Sequence, residues 1–252
     1  MALEKMRGRR ISVGETAVVI GAGRSGLAAA RLLNREGARV RLLDSNAQAF
    51  SGREDLAREL EQLGIVVELG PHSAAQFENA AFVVPSPGMP VARLDGLVDV
   101  EHTEILAEME LAWRYLDDEP VLAITGTSGK TTTASLAAAM LYEQGYAVFL
   151  GGNIGTPLSE YVLGGKKADV LVLEISSFQL QACTTFCPRA GILLNITPNH
   201  LDYHKDMAEY TEAKFRLFRC QSEEDLAVFG EELRSEVAQH SIMARKVFVQ
   251  AT

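Results

Sequence analysis

The residues best suited to chemistry form a loop of small side chains that ends in lysine and threonine. An apolar run, Val121–Ile124, precedes this loop, and a segment rich in alanine and leucine follows it. Backbone N–H groups of such a loop can surround phosphate oxygens, its lysine can neutralise their charge, and the next hydroxyl can hold Mg²⁺. The strict glycine-rich pattern would need glycine where Ile124 stands, but the strand, the loop and the helix are all indicated. The sequence predicts a nucleoside triphosphate site formed by Gly126, Thr127, Ser128, Gly129, Lys130, Thr131 and Thr132.

A carboxylate in another apolar run could serve the metal that accompanies a nucleotide. Glu174 lies near the end of Val170–Ile175. An ionised carboxylate is costly to bury unless a cation compensates its charge, and Mg²⁺ prefers oxygen ligands. We therefore predict that Glu174 coordinates Mg²⁺, with a glutamate exposed at the end of the strand as the alternative.

Two histidines follow the next apolar run. His200 and His204 are four residues apart, a spacing that can bind zinc when both imidazoles share a helix face. Pro198 and its polar neighbours instead predict a loop, and Cys183 and Cys187 add only a weak suggestion of further zinc ligands. The segment is therefore predicted to be an acid/base region in which His200 acts as an acid or a base, and a merely hydrogen-bonded or solvated His200 is the alternative.

Lys214 lies in a predicted helix that begins at Asp206 with a D-x-x-E capping pattern. Tyr210, Leu217 and Phe218 are its helical neighbours and form an apolar stripe. Removal from water favours the neutral amine, the form that reacts with CO₂ to give a carbamate. The alternative is a lysine whose stem crosses the stripe while its charge reaches water.

A second glycine-rich turn, Gly21–Gly26, follows the first apolar run in the pattern G-x-G-x-x-G. The helix predicted at Leu27–Arg35 can accept a diphosphate at its amino end. Asp44 ends the next strand, where an acidic residue commonly meets a ribose hydroxyl, and the turn Ser86–Gly88 would lie at the same sheet edge. This combination suits NAD, FAD or a uridine diphosphate group, and glycines needed only for a tight turn are the alternative.

The elements that position these residues are short apolar runs alternating with longer helical segments, which is typical of parallel strands covered on both faces. We predict an α/β fold with a Rossmann-like domain over residues 1–108 and a P-loop-type parallel-sheet domain over residues 109–252. A helix is predicted at Thr103–Leu116, after four strands of the first domain. The predicted strands are Ala17–Ile20, Val40–Leu43, Ile65–Leu69, Phe82–Val84, Val121–Ile124, Ala147–Leu150, Val170–Ile175, Gly191–Ile196, Leu226–Phe229 and Lys246–Val249.

Composition excludes several other classes of protein. Of 252 residues, 47% are hydrophobic and 23% charged, which argues against a disordered chain or a coiled coil. The net charge of −9 disfavours nucleic acid and anionic membranes as partners. No apolar stretch approaches the roughly 18 residues of a membrane span. Three cysteines are too few for a secreted disulfide framework, so we expect a cytoplasmic protein with reduced thiols.

Taken together, these motifs resemble the Mur ligases, and most closely the members that add D-glutamate. The Glu-Ile-Ser-Ser-Phe-Gln-Leu segment distinguishes those members from tripeptide synthetases and folylpolyglutamate synthases, which share the Gly-Lys-Thr loop. The segments that carry the resemblance are Gly126–Thr132, Gly151–Gly155, Glu174–Leu180, Asn195–Asp202 and Ala213–Lys214.

The resemblance implies an ATP-dependent amide ligase of peptidoglycan synthesis. UDP-N-acetylmuramoyl-L-alanine would be activated as an acyl phosphate, which D-glutamate then attacks. The implied catalytic residues are Lys130, which holds phosphate, Glu174, which binds Mg²⁺ with Thr131, and His200 with a carbamylated Lys214, which serve a second metal. The residues implied to contact the substrate are Arg24, Ser25, Asp44, Ser45, Ser86, Pro87, Gly88, Asn153 and Ser176.

The length of the chain bears on its activity, and two other functions are alternatives to the ligase. Members of the family have a third, C-terminal domain that binds D-glutamate, so we expect this chain to lack the domain needed for full turnover. A non-catalytic nucleotide-binding fragment is one alternative function. A Rossmann oxidoreductase, suggested by Gly21–Gly26 and Asp44, is the other.

Overall fold

The computed structural model describes residues 7–200 and 203–250. The chain divides into two compact units: unit 1 comprises Met1–Tyr115 and Pro157–Gly164, and unit 2 comprises Leu116–Thr156 and Gly165–Thr252. Each unit contains one sheet whose strands are all parallel, which confirms the predicted α/β class. No helix within the described ranges is long and apolar enough to cross a membrane.

Unit 1 has a five-stranded sheet in the order β3-β2-β1-β4-β5. Its central strand is buried at every position, as expected for a parallel strand with helices on both faces. The strands are β1 (Thr16–Ile20), β2 (Arg39–Asp44), β3 (Val66–Leu69), β4 (Ala80–Val84) and β5 (Glu104–Ile105). The helices are α1 (Arg24–Arg35), α2 (Glu54–Gln62), α3 (Glu108–Trp113) and α5 (Leu158–Gly164).

The predicted helix Thr103–Leu116 and the predicted four-strand sheet are both wrong at the same point. Glu104 and Ile105 pair with Phe82 and Val83 and form β5, so the helix begins only at residue 108. A two-residue strand is too short to show a periodicity, and its pairing partners decide its conformation. The predicted domain division at residue 108 falls at the first residue of α3.

Helix α5 belongs to unit 1 although it follows the first strands of unit 2 in sequence. The buried carboxylate of Glu108 accepts a hydrogen bond of 2.6 Å from the backbone N–H of Ser159, in the first turn of α5. Burial raises the pKa of the Glu108 carboxyl above its ordinary value. This contact joins the starts of two helices that are 50 residues apart (158 − 108).

Unit 2 has a six-stranded sheet in the order β11-β10-β9-β6-β8-β7. Every strand predicted in both units overlaps an observed one, although the strand expected at Gly191–Ile196 ends at Leu193. The strands are β6 (Val121–Thr125), β7 (Val148–Gly152), β8 (Val170–Glu174), β9 (Ala190–Leu193), β10 (Leu226–Gly230) and β11 (Arg245–Val249). The helices are α4 (Lys130–Glu143), α6 (Ser177–Gln181), α7 (Met207–Phe215) and α8 (Arg234–Val237).

Candidate functional site

The loop predicted to bind phosphate connects β6 to α4 and lies at the carboxyl edge of the sheet of unit 2. Gly129 is the N-cap of α4 and has φ = 79°, a left-handed conformation that glycine adopts without a steric penalty. Helix α4 begins at Lys130, so the positive end of its dipole and its free N–H groups face the loop. The local backbone is therefore suited to an anion.

Three residues that the sequence singles out meet beside this loop. The Thr131 hydroxyl donates a hydrogen bond of 2.6 Å to Oε2 of Glu174, and the Asn153 side-chain amide donates one of 2.7 Å to Oε1. Glu174 is only 2% exposed, and no lysine or arginine forms an ion pair with it in the described part of the chain. The alternative of an exposed Glu174 is wrong, because β8 is an interior strand of the sheet.

Two lysines converge on one carbonyl group of the loop. Lys130 Nζ donates hydrogen bonds of 3.0 Å to the carbonyl oxygens of Gly126 and Thr127. Lys214 Nζ donates one of 2.9 Å to the same Gly126 oxygen. Lys214 is 1% exposed, so the alternative in which its charge reaches water is wrong. Burial, and then the positive charge of Lys130, lower the pKa of Lys214 to about 7.

Two other side chains hold the loop, and the sequence predicted a contact with the loop for neither of them. Asn195 Oδ1 accepts hydrogen bonds from the backbone N–H groups of Thr127 and Ser128, at 3.1 and 3.0 Å. Tyr210 is buried, and its hydroxyl lies 3.0 Å from Thr127 Oγ1. Its ring lies 4.5 Å from the Nζ atom of Lys214. Asn195 was predicted to lie inside the strand Gly191–Ile196, whereas it follows the end of β9, and only the order of strands shows that β9 adjoins β6.

The two histidines have different surroundings. His200 is exposed and has φ = 55°, and its ring lies edge-on to Phe178 with centroids 4.8 Å apart. His204 is buried, and its Nε2 atom lies 2.9 Å from the Ser177 hydroxyl. No group of three or more His, Cys, Asp or Glu side chains that could hold a metal ion occurs among residues 7–200 and 203–250. The zinc alternative therefore has no ligand set there.

Ser176, predicted to contact the substrate, is the N-cap of α6. Its hydroxyl accepts a hydrogen bond of 3.3 Å from the Gln179 backbone N–H, and the Gln179 side chain accepts one of 3.0 Å from the Ser176 backbone. This reciprocal pair is a capping box, which satisfies two backbone donors at the start of the helix. The backbone between Glu174 and α6 is thereby held in place.

The glycine turn of unit 1 connects β1 to α1. Gly21 has φ = 100°, and a Cβ atom on Gly26 would overlap the carbonyl oxygen of Gly21, so both positions require glycine. The Asp44 carboxylate accepts hydrogen bonds from the backbone N–H groups of Ala22 and Asn46, at 2.8 and 2.9 Å, and so holds the turn itself.

The other predicted contacts of the UDP substrate surround this turn or follow the neighbouring strands. Ser25 lies in the first turn of α1, and Ser45 directly follows β2. Ser86 packs against Gly21 and begins the turn that contains Pro87 and Gly88. Arg24 is exposed and forms an ion pair of 3.4 Å with Glu160 of α5.

Comparison with known proteins identifies both parts of the chain. Residues 15–102 match the family described as Mur ligase MurD-like, N-terminal domain, and residues 124–247 match the family described as Mur ligase middle domain. A UDP-N-acetylmuramoylalanine--D-glutamate ligase of Desulfovibrio desulfuricans is 85% identical over 249 residues, covering 99% of this chain and 57% of that relative. A ligase of the same name from Nitratidesulfovibrio vulgaris is 59% identical over 261 residues, covering 100% of this chain and 58% of that relative.

The chain therefore spans less than three-fifths of the length of these curated relatives. Among solved structures, a UDP-N-acetylmuramate:L-alanyl-gamma-D-glutamyl-meso-diaminopimelate ligase from Neisseria meningitides superimposes with a TM-score of 0.57 at 21% identity. That match covers 93% of this chain and 78% of the other, and it supports the fold.

Proposed function

Because the chain belongs to the Mur ligase family, we propose that it binds the UDP substrate and ATP for an ATP-dependent ligase that adds D-glutamate to UDP-N-acetylmuramoyl-L-alanine. The observation that supports this most is the junction of Thr131, Glu174 and Asn153 beside a phosphate-type loop. The oxidoreductase alternative rests on the glycine turn of unit 1 and on Asp44, and both lie within the match to a Mur-type N-terminal domain.

In the proposed reaction, a carboxylate oxygen of the substrate attacks the γ-phosphorus of ATP and ADP leaves. The amine of D-glutamate then attacks the acyl phosphate, and inorganic phosphate leaves. The loop N–H groups and the amino end of α4 would hold the phosphates. Lys130 would exchange its two bonds to loop carbonyls for bonds to phosphate oxygens, which carry full negative charge.

The residues at Glu174 fit a magnesium ion. They present a buried carboxylate and a hydroxyl, the oxygen donors that Mg²⁺ prefers, and the partners of the carboxylate among the described residues, Thr131 and Asn153, are neutral. When bound, Mg²⁺ would neutralise charge on the transferring phosphoryl group. Asn153 would keep Glu174 oriented and lie close to the reacting carboxylate.

We propose further that Lys214 reacts with CO₂ and, as a carbamate, serves a second metal with His200. A pKa of about 7 makes a large fraction of this amine neutral at physiological pH, and only the neutral amine attacks CO₂. The amine loses a proton as the C–N bond forms, so the product is an anionic oxygen donor. Tyr210 lies close to both residues, with its ring centroid 6.3 Å from that of His200.

Calorimetric titration of the 252-residue chain with ATP and Mg²⁺ tests the nucleotide site. Lys130→Ala should weaken binding at least about tenfold, because a charge-assisted hydrogen bond contributes about 1.5–3 kcal/mol. Glu174→Gln should weaken binding only when Mg²⁺ is present. Lys166→Ala, at an exposed lysine of the same unit, is the matched control. Equal affinity of the wild-type and Lys130→Ala chains would contradict this assignment.

A second titration separates the candidate ligands of unit 1. UDP-N-acetylmuramoyl-L-alanine should bind and NADH should not, and Gly26→Ala should abolish the binding. Binding of NADH without the UDP compound would instead support the oxidoreductase.

Ligation itself is measured on the complete gene product, as phosphate release that requires ATP, UDP-N-acetylmuramoyl-L-alanine and D-glutamate together. L-Glutamate is the control for the amino acid. Nucleotide binding without acyl-phosphate formation would favour the non-catalytic alternative.

A further inference from the structure

His204 is a buried imidazole for which the proposed mechanism has no use. It is 1% exposed, and its Nε2 atom lies 2.9 Å from the hydroxyl of Ser177, the first residue of α6. Its own backbone N–H donates a hydrogen bond of 3.0 Å to the carbonyl oxygen of His200. Hydrogen bonds therefore hold both the backbone and the ring of His204.

The ring of His204 packs between aromatic residues of two helices. Its centroid is 5.6 Å from that of Phe178 in α6, with the planes nearly parallel, and 5.2 Å from that of Tyr210 in α7. Tyr210 contacts the phosphate loop through Thr127. His204 therefore links the start of α6 to a residue that contacts the loop.

The hydrogen bond also determines which tautomer fits. Nδ1 has no hydrogen-bond partner among the residues that the structure describes. A buried N–H without a partner is rarer and more costly than a buried lone pair, so the proton belongs on Nε2. A neutral His204 then donates its single N–H to the Ser177 hydroxyl.

We propose that His204 is a positioning residue for the substrate that Ser176 contacts. The Ser177 hydroxyl follows the N-cap Ser176 directly, and Glu174 lies just before that cap. The bond from His204 holds the first turn of α6, and this turn contains the capping box in which Gln179 sets the direction of the Ser176 hydroxyl. This inference rests on the proposed function, because it takes Ser176 as a substrate contact.

Two substitutions separate the hydrogen bond from the packing. His204→Phe keeps an aromatic ring between Phe178 and Tyr210 but removes the donor. His204→Gln places a side-chain N–H near the position of Nε2 and keeps the donor. If His204 only filled space, phenylalanine would be the better replacement, whereas a positioning role requires glutamine to be the better one.

In the complete gene product, His204→Phe should raise KM for UDP-N-acetylmuramoyl-L-alanine about tenfold, the cost of about one lost hydrogen bond. KM for ATP should change less than about twofold, because the ring against Tyr210 is kept. His204→Gln should stay within about threefold of wild type for both substrates.

Ser177→Ala removes the other partner and completes a double-mutant cycle. Ser177→Ala should also raise KM for UDP-N-acetylmuramoyl-L-alanine. Adding it to His204→Phe should have little further effect, because each substitution deletes the same hydrogen bond between the two residues. Additive effects, or a lower melting temperature of His204→Phe with both KM values unchanged, would overturn the proposal.

Hydrogen exchange keeps the proposal testable even if no ligation is detected. In the 252-residue chain, His204→Phe should speed exchange of the backbone amides of residues 177–181 about tenfold, and His204→Gln should not. Wild-type exchange rates in the His204→Phe variant would overturn the positioning role. If the wild-type protein shows no ligation but His204→Phe speeds exchange as expected, the result contradicts the proposed function and leaves the positioning role of His204 standing.

Discussion

Replacement of Lys214 by methionine should stabilise unit 2, and the gain in stability should shrink as the pH rises. The lysine is 1% exposed, and its pKa is lowered from 10.5 to about 7 by burial and by Lys130. Methionine fills the space of the lysine stem without bringing a charge. The Gly126 oxygen that Lys214 contacts keeps its hydrogen bond from Lys130, so the substitution leaves no unpaired acceptor there.

The size of the effect follows from the two pKa values. Between pH 7 and 10.5 the unfolded chain holds the proton of Lys214 and the folded chain does not, so the stability of the wild-type protein rises with pH in that range. Each difference of one in pKa corresponds to about 1.4 kcal/mol, so burial of this amine costs about 5 kcal/mol near pH 6 and about 2 kcal/mol at pH 9. The advantage of Lys214→Met should therefore fall by about 3 kcal/mol between pH 6 and 9.

Urea unfolding followed by circular dichroism at pH 6, 7.5 and 9 measures this difference, in buffers freed of CO₂ so that no carbamate forms. Lys166→Met, at an exposed lysine of unit 2, is the control and should give a small difference in unfolding free energy at every pH. A difference for Lys214→Met that is constant across this pH range would refute the reasoning. So would a variant that is less stable than wild type at pH 6.

Three further predictions concern single side chains. Gly26→Ala should lower the free energy of unfolding of unit 1 by at least about 2 kcal/mol, because the new methyl group would overlap the Gly21 carbonyl. Gly23→Ala, which meets no atom, should cost far less, and thermal melts of the two variants decide this. Burial raises the pKa of the Cys187 thiol to about 12, so its alkylation by iodoacetamide at pH 8 should be roughly a thousandfold slower than in urea, as measured by mass spectrometry. Because burial raises the pKa of Glu108, its cost to stability grows with pH. Glu108→Gln should therefore raise the melting temperature more at pH 8 than at pH 5, and an equal or opposite change would contradict this.

Strands of the two units could be predicted from sequence where their own residues required burial. The strand β1 consists of five buried residues of mostly β-branched type, so its composition alone indicates its conformation. The strand β5 has two residues, Glu104 and Ile105, and they are extended because β4 offers them an edge. A strand this short forms because a partner strand is present, and its own residues do not indicate that it is extended.

The candidate site shows the same distinction between local and distant causes. The capping of α7 by Asp206 was predictable, because the donor and the acceptor are three residues apart, and the side chain accepts a hydrogen bond from the Glu209 backbone as expected. The sequence offered both a buried and a water-exposed Lys214 and could not decide between them, because its partner is the Gly126 oxygen, 88 residues away. Helical periodicity placed the lysine beside an apolar stripe, but it could not show what covers that stripe.

The order of strands in unit 2 explains how distant residues reach one loop. The strand that leads into the loop, β6, lies between β8 and β9 in the sheet. Parallel strands all end at the same edge, so Glu174 at the end of β8 and Asn195 just after β9 must flank the loop on opposite sides. One flank presents a carboxylate to the Thr131 hydroxyl, and the other binds the loop N–H groups of Thr127 and Ser128. In a chain with a net charge of −9, the anion site that we propose would therefore depend on local groups, namely the amino end of α4, Lys130 and Mg²⁺ at Glu174, and the sheet brings these groups to one edge.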